Sequence, residues 1–291
     1  MNAIELAMQY VPILDEVYKL ASLTADLDGA SELARQGANA NELIIPKLDM
    51  QGLAEYSRNE GYINGDVTLV NETVKCNFDR GRMFHVDTMD NLETAGIAFG
   101  RLSGEFIRTK VVPELDAFRF ASYAAAAGIS KVEAGVTLDT GAAVVEALRA
   151  AANKMDEDEV PMEDRHLRIT PTLLGMVEDL DTTKSKEILK SFASVKKVPQ
   201  SRFYTSISQL SGRDAEAAGG YKKADGAADI NFMIIHKPAL IQFSKHIAPK
   251  VITPEVNQKA DGYGFGYRHV SIADVYENKA AGIYLHHKAA G

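Results

Sequence analysis

The chain has 291 residues, of which 46% are hydrophobic and 25% are charged, and its formal net charge is −8. These proportions are typical of a folded globular protein, so they exclude a disordered or collagen-like chain. The acidic balance argues against tight sequence-specific nucleic-acid binding, which needs cations that neutralise phosphates. The single cysteine, Cys76, excludes an intrachain disulfide and a thiolate metal cluster. No apolar run approaches the roughly 18 residues of a membrane span, and the N-terminus lacks the basic start of a signal peptide.

The N-terminal part of the sequence predicts two kinds of segment. Residues 2–24 show an apolar spacing typical of a helix, which Pro12 would kink or restart. Residues 26–42 are small and polar and include Gly29 and Gly37. We therefore expect a helical arm, followed by an extended or mobile arm that does not contribute to the core.

Residues 43–88 alternate apolar and polar side chains, which is typical of antiparallel strands. Asn64-Gly65 is the dipeptide favoured in a tight hairpin turn, and Asp79-Arg80-Gly81 is interpreted as a second turn. The region has few large apolar residues, so a hairpin built from it cannot bury both faces against its own chain. We expect this hairpin to project and to be covered by another molecule.

Residues 89–127 show the longest helical pattern, with apolar residues spaced three and four apart. Pro113 lies inside the pattern and should bend the helix, and Gly128 should end it. At about 1.5 Å per residue the helix would exceed about 50 Å in length. That length suits the backbone element of an elongated, thin subunit.

Residues 137–237 alternate helical and strand patterns. Thr140 is predicted to cap a helix, a further helix is predicted from Thr183 to Val195, and the apolar run Ile230 to Ile235 predicts a central strand. Pro238 is predicted to start a short helix, after which residues 246–291 return to strand-like patterning. The predicted fold class is α+β.

No motif in the sequence predicts a catalytic or cofactor site. The stretch Gly262 to Tyr267 lacks the final glycine of a dinucleotide-binding fingerprint, and no histidines show the spacing of a zinc-binding helix. Capping of the following helix explains Asp90 better than acid–base chemistry with Asp87 does. Cys76 is interpreted as a core filler. We therefore predict a protein that is not an enzyme, with no catalytic residues, no cofactor and no metal.

A resemblance to a known family rests on short segments spread over about residues 10–287: Ile44 to Lys47, Gly52 to Arg58, Phe78 to Asp90, Val198 to Thr205, Asn231 to Lys237, Asp261 to Arg268 and Asn278 to Tyr284. In composition and order they resemble the major capsid proteins of tailed bacteriophages and prophages of Gram-positive bacteria. No single segment is a catalytic signature. The specificity of the resemblance lies in the order of the segments and in their coverage of the chain.

The resemblance implies the Hong Kong 97-type capsid fold, which has an N-terminal arm, an E-loop hairpin, a long spine helix, a peripheral domain and an axial domain. Mapped onto this sequence, the expected parts are an arm over residues 1–41, an E-loop over 42–80, a peripheral domain over 81–136 with the spine helix at 89–127, an axial domain over 137–237, and return strands over 238–291 that complete both domains.

The function implied by the resemblance is assembly. Copies of the chain would form pentamers and hexamers of an icosahedral head that encloses double-stranded DNA, assembled in the host bacterial cytoplasm and found in the virion. The expected partners are other copies, scaffolding protein, portal protein and decoration proteins, with non-specific contact to packaged DNA and no membrane. The alternatives are an encapsulin-like compartment that encloses cargo enzymes and an unrelated soluble enzyme.

Two sets of residues are predicted to contact neighbouring subunits. The apolar stripe of the hairpin would be buried by another copy, and it consists of Ile45, Val67 and Leu69. Complementary charges set the register of an interface more than its affinity. The charged candidates for this role are Arg58, Glu60, Arg80 and Arg82.

Overall fold

The structure, a computed structural model, describes residues 22–29, 35–36, 42–52, 54–56, 58–59, 62, 64–89, 97–132, 134–258 and 261–289. Most of the predicted helical arm over residues 2–24 lies outside these residues. In the described part of the chain, no helix has both the length and the apolar character that crossing a membrane requires.

The described elements mix helices and strands, as the predicted α+β class requires. The strands are β1 (Arg35–Gln36), β2 (Glu42–Met50), β3 (Val67–Lys75), β4 (Phe78–Asp87), β5 (Ser130–Lys131), β6 (Arg165–Ile169), β7 (Ser194–Lys197), β8 (Ile207–Gln209), β9 (Tyr221–Lys223), β10 (Ile230–His236), β11 (Leu240–Ile252), β12 (Gly262–Val275) and β13 (Ile283–His287). The α-helices are α1 (Ile97–Phe106), α2 (Val112–Ala125), α3 (Gly141–Glu157), α4 (Pro171–Asp179) and α5 (Thr183–Lys190).

A hairpin sheet is formed by β1, β2 and β3 in that order. β2 and β3 are antiparallel along their full length, from Glu42 opposite Lys75 to Met50 opposite Val67. This pairing confirms the predicted hairpin. The sheet includes none of the other described strands, so β1 and β3 are its two edges.

The tight turn predicted at Asn64-Gly65 is wrong. The described residues between 51 and 66 belong to no strand and connect β2 to β3 as a wide loop. Gln51 closes the base of this loop, because its amide donates to the Asp66 carbonyl (3.4 Å) and its Oε1 accepts from the Asp66 amide (3.2 Å). Gly65 does not have the positive φ that a type I′ turn requires.

The second predicted turn, at Asp79-Arg80-Gly81, is also wrong. β4 runs through these residues without a break and pairs with β12, which pairs in turn with β11, so the three strands form a peripheral sheet. A Cβ atom on Gly81 would lie 2.7 Å from the Tyr267 carbonyl oxygen. The glycine therefore permits close approach of two strands, a role that a sequence pattern does not distinguish from a turn.

The short helix predicted to start at Pro238 is limited to a 3-10 turn, Lys237–Ala239, and β11 begins at once after it. Leu240, Ile241 and Gln242 are all buried, so the start of β11 is covered on both faces. A strand that is buried on both faces loses the alternation that identifies strands in a sequence.

The long helix predicted over residues 89–127 is described from Ile97, and residues 90–96 lie outside the described part. α1 passes into α2 through a five-residue π-helical segment, Ile107–Val111, just before Pro113. Proline cannot donate to the carbonyl four residues back and its ring crowds that carbonyl, so the wider π turn accommodates it. Together these segments are about 43 Å long. Gly128, with φ +80°, follows the end of α2 as predicted.

An axial sheet has the strand order β5–β13–β10–β6–β7. Every residue of β10 is buried, which confirms the central strand predicted from Ile230 to Ile235. α3 begins at the predicted cap, where Thr140 Oγ1 accepts from the Ala143 amide. α5 ends at Lys190 rather than Val195, because Ser194–Lys197 pairs in parallel with β6 as β7.

α2 contributes to two hydrophobic clusters. Val112 and Leu115 pack with Phe78 and Phe265 beneath the peripheral sheet. Further along the helix, Phe120 and Tyr123 pack in a second cluster with residues of β10, β11 and β13. α2 therefore connects the peripheral and axial sheets through its own buried side chains.

Gly81→Ala tests the close approach of β4 and β12. We expect it to lower the free energy of unfolding by about 1–3 kcal/mol, because the new methyl group would meet backbone atoms that cannot move independently. The control is Gly175→Ala in α4, where a Cβ has nothing within 4 Å. There the helix should gain up to about 1 kcal/mol. Urea unfolding of the subunit measures both changes, and equal stabilities of the two variants would contradict the expectation.

Candidate inter-subunit surfaces

The tip of the hairpin sheet, here called the hairpin tip and defined as residues 50–67, exposes large apolar side chains. The exposed fractions are 61% for Met50, 60% for Tyr56, 87% for Tyr62 and 67% for Val67. The rings of Tyr56 and Tyr62 are 4.9 Å apart. A cluster of exposed aromatic and apolar residues is characteristic of a protein–protein contact surface.

The structure describes only some of the residues predicted to form hairpin contacts. Val67 and Arg58 are exposed, in agreement with a role at an interface. Ile45 lies on β2 opposite Glu72, and Leu69 lies on β3 opposite Leu48. The side chains of Ile45 and Leu69, and all of Glu60, lie outside the described part. Their contacts with other subunits stay predictions.

Asn77 forms the elbow between the hairpin sheet and the peripheral sheet. Its Nδ2 donates to the Ala273 carbonyl (2.8 Å), and its Oδ1 accepts from the Ala273 amide (3.1 Å). The side-chain amide thus takes the place of one more residue pair in the β4–β12 ladder. The neighbouring Cys76 is half-buried, and burial raises the pKa of its thiol, as expected of a packed rather than a reactive cysteine.

Arg80, predicted to contact another subunit, makes strong contacts within its own chain. Its Nε lies 2.8 Å from Glu114 Oε1 on α2, and its Nη2 donates to the carbonyls of Leu210 (2.8 Å) and Gly220 (3.2 Å). Burial raises the pKa of Glu114, and the charge of Arg80 opposes that rise. Arg80 therefore joins β4, α2 and the loop of residues 210–220.

Arg82 fixes the same loop two residues further along β4. It donates to the carbonyls of Ala217 (2.9 Å) and Ala218 (3.2 Å) while its side chain stays exposed. These contacts join positions far apart in sequence, so spacing alone could not reveal them. A role for Arg80 or Arg82 between subunits stays a prediction.

A cleft of about 990 Å³ opens between β4, the α1–α2 helix and the loop of residues 201–223. We call it the basic cleft, because the charged residues that line it are Asp79, Arg80, Arg82, Glu105, Lys110, Glu114, Lys222 and Lys223. Its aromatic lining consists of Phe78, Phe84, Phe106, Tyr204, Tyr221 and Tyr267. The sequence analysis did not identify this cleft, because its walls come from three separate parts of the chain.

Residues 22–29, here called the anchor segment, bury the side chains of Ser22, Thr24 and Leu27, and the burial of Leu27 contradicts the expectation that residues from 26 onward stay outside the core. Leu27 is fully buried among Phe120, Phe203 and Ile230. Residues 22–24 lie at the end of the predicted helical arm but form no helix, and from residue 26 onward the polar composition predicts an extended or mobile arm. The polar side chains of the anchor segment, however, bind buried polar partners.

Asp116 on α2 is fully buried and accepts hydrogen bonds from the anchor segment. Its carboxylate accepts from Ser22 Oγ (2.8 Å), Thr24 Oγ1 (2.8 Å) and the Leu23 amide (3.1 Å). Arg119, one turn further along α2 and also fully buried, donates to Thr24 Oγ1 (2.8 Å). The anchor segment thus supplies hydrogen-bond partners to two buried charges on α2, and Arg202 Nη1 lies 3.3 Å from the Asp116 carboxylate.

Gln242 on β11 connects the anchor segment to the peripheral sheet. Its Nε2 donates to the Thr24 carbonyl (2.7 Å) and to Asp28 Oδ1 (2.6 Å). Its Oε1 accepts from the hydroxyl of Tyr123 on α2. Burial raises the pKa of Tyr123 above its usual range, so this hydroxyl stays a donor.

Asp26 connects the anchor segment to the axial sheet. Arg168 on β6 is fully buried, and its Nη2 donates to both carboxylate oxygens of Asp26, at 2.9 Å and 2.8 Å. Lys196 on β7 lies 3.0 Å from the same carboxylate. Burial works to raise the pKa of Asp26, but Arg168 and Lys196 together hold it below its usual value.

Two histidines are buried in a neutral form. His269 on β12 is fully buried with its Nε2 3.2 Å from Ser244 Oγ, and burial, with a contribution from Arg119, lowers its pKa to about 3. His286 on β13 lies 3.0 Å from Asn231 Nδ2, and burial lowers its pKa to about 4. Among the described residues, no three His, Cys, Asp or Glu side chains are grouped so as to hold a metal ion.

The chain was compared with known proteins. No family model and no curated protein matches its sequence. Among solved structures, the capsid of the cyanophage P-SCSP1u is similar with a TM-score of 0.62 and 14% identity, covering 93% of this chain and 89% of the other. A structure from Mycobacterium phage Che8 is similar with a TM-score of 0.58 and 12% identity, covering 91% and 90%.

A third similar structure is a virus-like particle from Pyrococcus furiosus, with a TM-score of 0.59 and 12% identity, covering 94% of this chain and 95% of the other. At these identities the likeness concerns the fold, and it extends over nearly the full length of each chain. The expected Hong Kong 97-type capsid fold is confirmed. The division into arm, E-loop, peripheral and axial domains at the predicted boundaries stays a prediction.

Asp26→Asn tests the contact between the anchor segment and the axial sheet. We expect a loss of about 3 kcal/mol in the free energy of unfolding, because the fully buried guanidinium of Arg168 would lose its balancing charge. The matched control is Asp181→Asn, which removes an exposed pair with Lys186 and should cost less than about 1 kcal/mol. Chemical unfolding of both variants measures the difference, and similar small losses would show that Asp26 is dispensable.

The buried histidines predict loss of stability in acid. The pKa of His269 is about 3 in the folded chain and about 6.5 when unfolded, so between these pH values only the unfolded state binds the proton. The contribution of the neutral His269 to the free energy of unfolding is fully present above about pH 6.5. Below that pH the free energy of unfolding should fall by up to about 1.4 kcal/mol per pH unit. His269→Gln should flatten this slope between pH 6.5 and 4. His85→Gln, at an exposed position, should not. Parallel slopes for both variants would refute the prediction.

Proposed function

We propose that the chain is the major capsid protein of a tailed phage or prophage, and that copies of it assemble as pentamers and hexamers into an icosahedral head around double-stranded DNA. The observation that carries this proposal is a capsid fold over the full chain combined with a hairpin tip whose large apolar residues are exposed. Apolar side chains that the subunit leaves exposed can be buried by contact with another copy.

The physical basis of assembly is the sum of many weak contacts. Each copy of a closed shell contacts several neighbours, so modest contacts combine into a stable structure. A hairpin that lies on a neighbour covers its apolar side chains and its unpaired strand edges at the same time. Because the hairpin contacts a different surface on the neighbour, the contact is heterologous. When successive copies are related by a rotation that closes, such contacts form rings.

The charge of the chain is compatible with a DNA container. A net charge of −8 disfavours tight binding to phosphates, so packaged DNA would contact the wall without sequence readout and without being trapped. In this function the further partners are scaffolding, portal and decoration proteins. Assembly takes place in the host bacterial cytoplasm, and the finished protein belongs to the virion.

An encapsulin-like compartment is the second candidate, since a virus-like particle from an archaeon shares the fold. The order of the sequence segments that resemble phage capsid proteins favours the phage head. The two functions differ in contents: a phage head packages DNA through a portal, whereas a compartment encloses cargo proteins. Mass spectrometry and nucleic-acid analysis of particles from the natural source distinguish them.

Particle formation tests the proposed function. The full-length chain, produced alone and together with the products of its neighbouring genes, should form rings or closed shells that are visible by negative-stain electron microscopy and measurable by light scattering. If concentrated protein stayed as single compact molecules under both conditions, the proposal would be overturned.

The hairpin tip should be needed for these particles but not for the fold of the subunit. Tyr62→Ser combined with Val67→Ser should lower particle yield by at least about tenfold, because each shell multiplies the lost contact. The melting temperature of the dissociated subunit should stay unchanged, since both side chains are exposed. Met162→Ser, at a side chain of similar exposure (66%), is the control. Normal yield from the double variant would exclude the tip from the interface.

A further inference from the structure

We propose that Asn64-Gly65, in the hairpin tip, is a site of spontaneous covalent modification, at which the Asn64 side chain deamidates to aspartate and isoaspartate. The reaction belongs to the isolated chain and goes beyond the proposed function. Its consequence for assembly rests on the proposed function, because the tip is the surface that we assign to contacts between copies. The dipeptide predicts a tight turn that the structure does not contain, so the fold does not account for it.

The glycine is not required by the conformation of the loop. Gly65 has no positive φ angle. A Cβ atom at this position would lie 3.7 Å from its nearest neighbour, Gln51 Oε1, which is an ordinary contact distance. Gly81 differs, because there a Cβ would meet a backbone carbonyl oxygen at 2.7 Å. The distinctive property of Gly65 is therefore chemical: without a side chain, its amide nitrogen is open to approach by the preceding residue.

Asn64 can make that approach. It is exposed, and it lies in the wide loop rather than in a strand. The contact that closes the base of the loop joins Gln51 and Asp66 and does not involve the dipeptide. Among the residues that the structure describes, neither the Asn64 side chain nor the Gly65 amide has a hydrogen-bond partner. None of these residues therefore holds the Asn64 carboxamide away from the Gly65 nitrogen.

Other asparagines differ both in sequence and in their contacts. Asn64 is the only asparagine in the chain that a glycine follows, whereas Asn77 and Asn231 each precede a phenylalanine. The Asn77 side chain forms two hydrogen bonds with the backbone of Ala273. Asn231 is buried and donates to the Val136 carbonyl (2.8 Å). A bulky following residue and a bound carboxamide both oppose ring closure, so we expect the reaction at Asn64 and not at these two positions.

The reaction needs no reagent other than water. The Gly65 amide nitrogen loses its proton to solvent base and attacks Cγ of Asn64, so that a new C–N bond closes a cyclic imide. The C–N bond of the carboxamide breaks, and its nitrogen takes up a proton and leaves as ammonia. Water then opens the imide at Cγ to give aspartate, or at the main-chain carbonyl carbon of Asn64 to give isoaspartate. Because the attacking nitrogen must first lose a proton, the rate rises with pH.

Either product changes the tip in a direction that opposes its burial. The tip has three acidic residues and one basic residue, a formal charge of 1 − 3 = −2, and the new carboxylate makes this charge −3. Isoaspartate also routes the backbone through Cβ, which lengthens the loop by one atom. Covering an additional unpaired charge costs free energy. We therefore expect a subunit that stays unassembled for long to lose its ability to join a particle.

Peptide mapping of the full-length protein tests the site. After storage in mildly alkaline buffer, mass spectrometry with electron-transfer fragmentation should show aspartate and isoaspartate in place of Asn64, in a fraction that grows with time and with pH. Digestion in heavy-oxygen water marks any conversion that happens during the digest itself. Asn77 and Asn231 are internal controls and should stay unmodified. An Asn64 that stays as unmodified as these two would overturn the inference.

Two variants separate the chemistry from folding. Gly65→Ala places a methyl group beside the attacking nitrogen and should slow the conversion at least about tenfold. Asn64→Gln would have to close a larger ring and should show no conversion over the same period. Both variants should keep the wild-type melting temperature, because a Cβ fits at Gly65 and Asn64 is exposed. Conversion of Gly65→Ala at the wild-type rate would overturn the assignment of Gly65 as the attacking group.

Particle yield tests the consequence for assembly. Asn64→Asp carries the charge of the product from the start and should lower particle yield at least about threefold, because each shell multiplies the lost contact. Asn64→Gln should give the wild-type yield. Asn153→Asp, which adds the same charge at an exposed position on α3, is the matched control and should also give the wild-type yield. In particles formed from stored wild-type protein, chains modified at Asn64 should be depleted relative to the unassembled fraction.

The outcomes separate this inference from the proposed function. Unmodified Asn64 in stored protein that forms shells overturns the modification site and leaves the proposed function intact. Equal fractions of modified chains in particles and in solution overturn the consequence for assembly. Absence of wild-type shells overturns the proposed function, while peptide mapping of the same sample still decides whether Asn64 is modified.

Discussion

The subunit depends on buried charges whose hydrogen-bond partners lie in a short segment far away in the sequence. Asp116, Arg119 and Arg168 are all fully buried, and their principal partners lie in the anchor segment. An unbalanced charge inside a protein is costly, so these residues strongly favour the arrangement that supplies their partners. That arrangement holds α2, β6 and β11 together, and the relative position of the axial and peripheral sheets follows from it.

The subunit therefore buries its apolar side chains at its centre but leaves apolar side chains exposed at the hairpin tip. The clusters on the two sides of α2 bury aromatic and aliphatic side chains fully, whereas the hairpin sheet ends in exposed apolar residues. Under the proposed function, stability and assembly therefore depend on different parts of the chain. We expect substitutions at the tip to change association without unfolding the subunit. We expect substitutions in the anchor segment to lower the free energy of unfolding of the subunit.

The sequence predicted those elements whose local pattern matches their surroundings. The central strand β10 and the cap at Thr140 were identified because an apolar run and a capping side chain carry local signals. The start of β11 was misassigned because burial on both faces removes alternation. The anchor segment could not be predicted because its contacts join residues about 90 to 220 positions apart, such as Ser22 with Asp116 and Thr24 with Gln242. The basic cleft could not be predicted because its walls come from three separate parts of the chain. Of the predicted contact residues, Val67 and Arg58 are exposed and their contacts with other subunits stay predictions, whereas the contacts of Arg80 and Arg82 within the chain could not be inferred from spacing.

Because the hairpin is attached near Asn77, a small rotation there produces a large displacement of the hairpin tip. One side-chain amide, bound to both backbone groups of Ala273, and Val74, packed with Ile241 and Ile272, hold the base of an arm of about 30 Å to the peripheral sheet. A rotation of about 5° at this pivot displaces the far end by about 3 Å, roughly the length of one hydrogen bond. In the proposed shell, the stiffness of these few contacts would limit the range of angles at which adjacent copies meet, and with it the curvatures that one sequence can form.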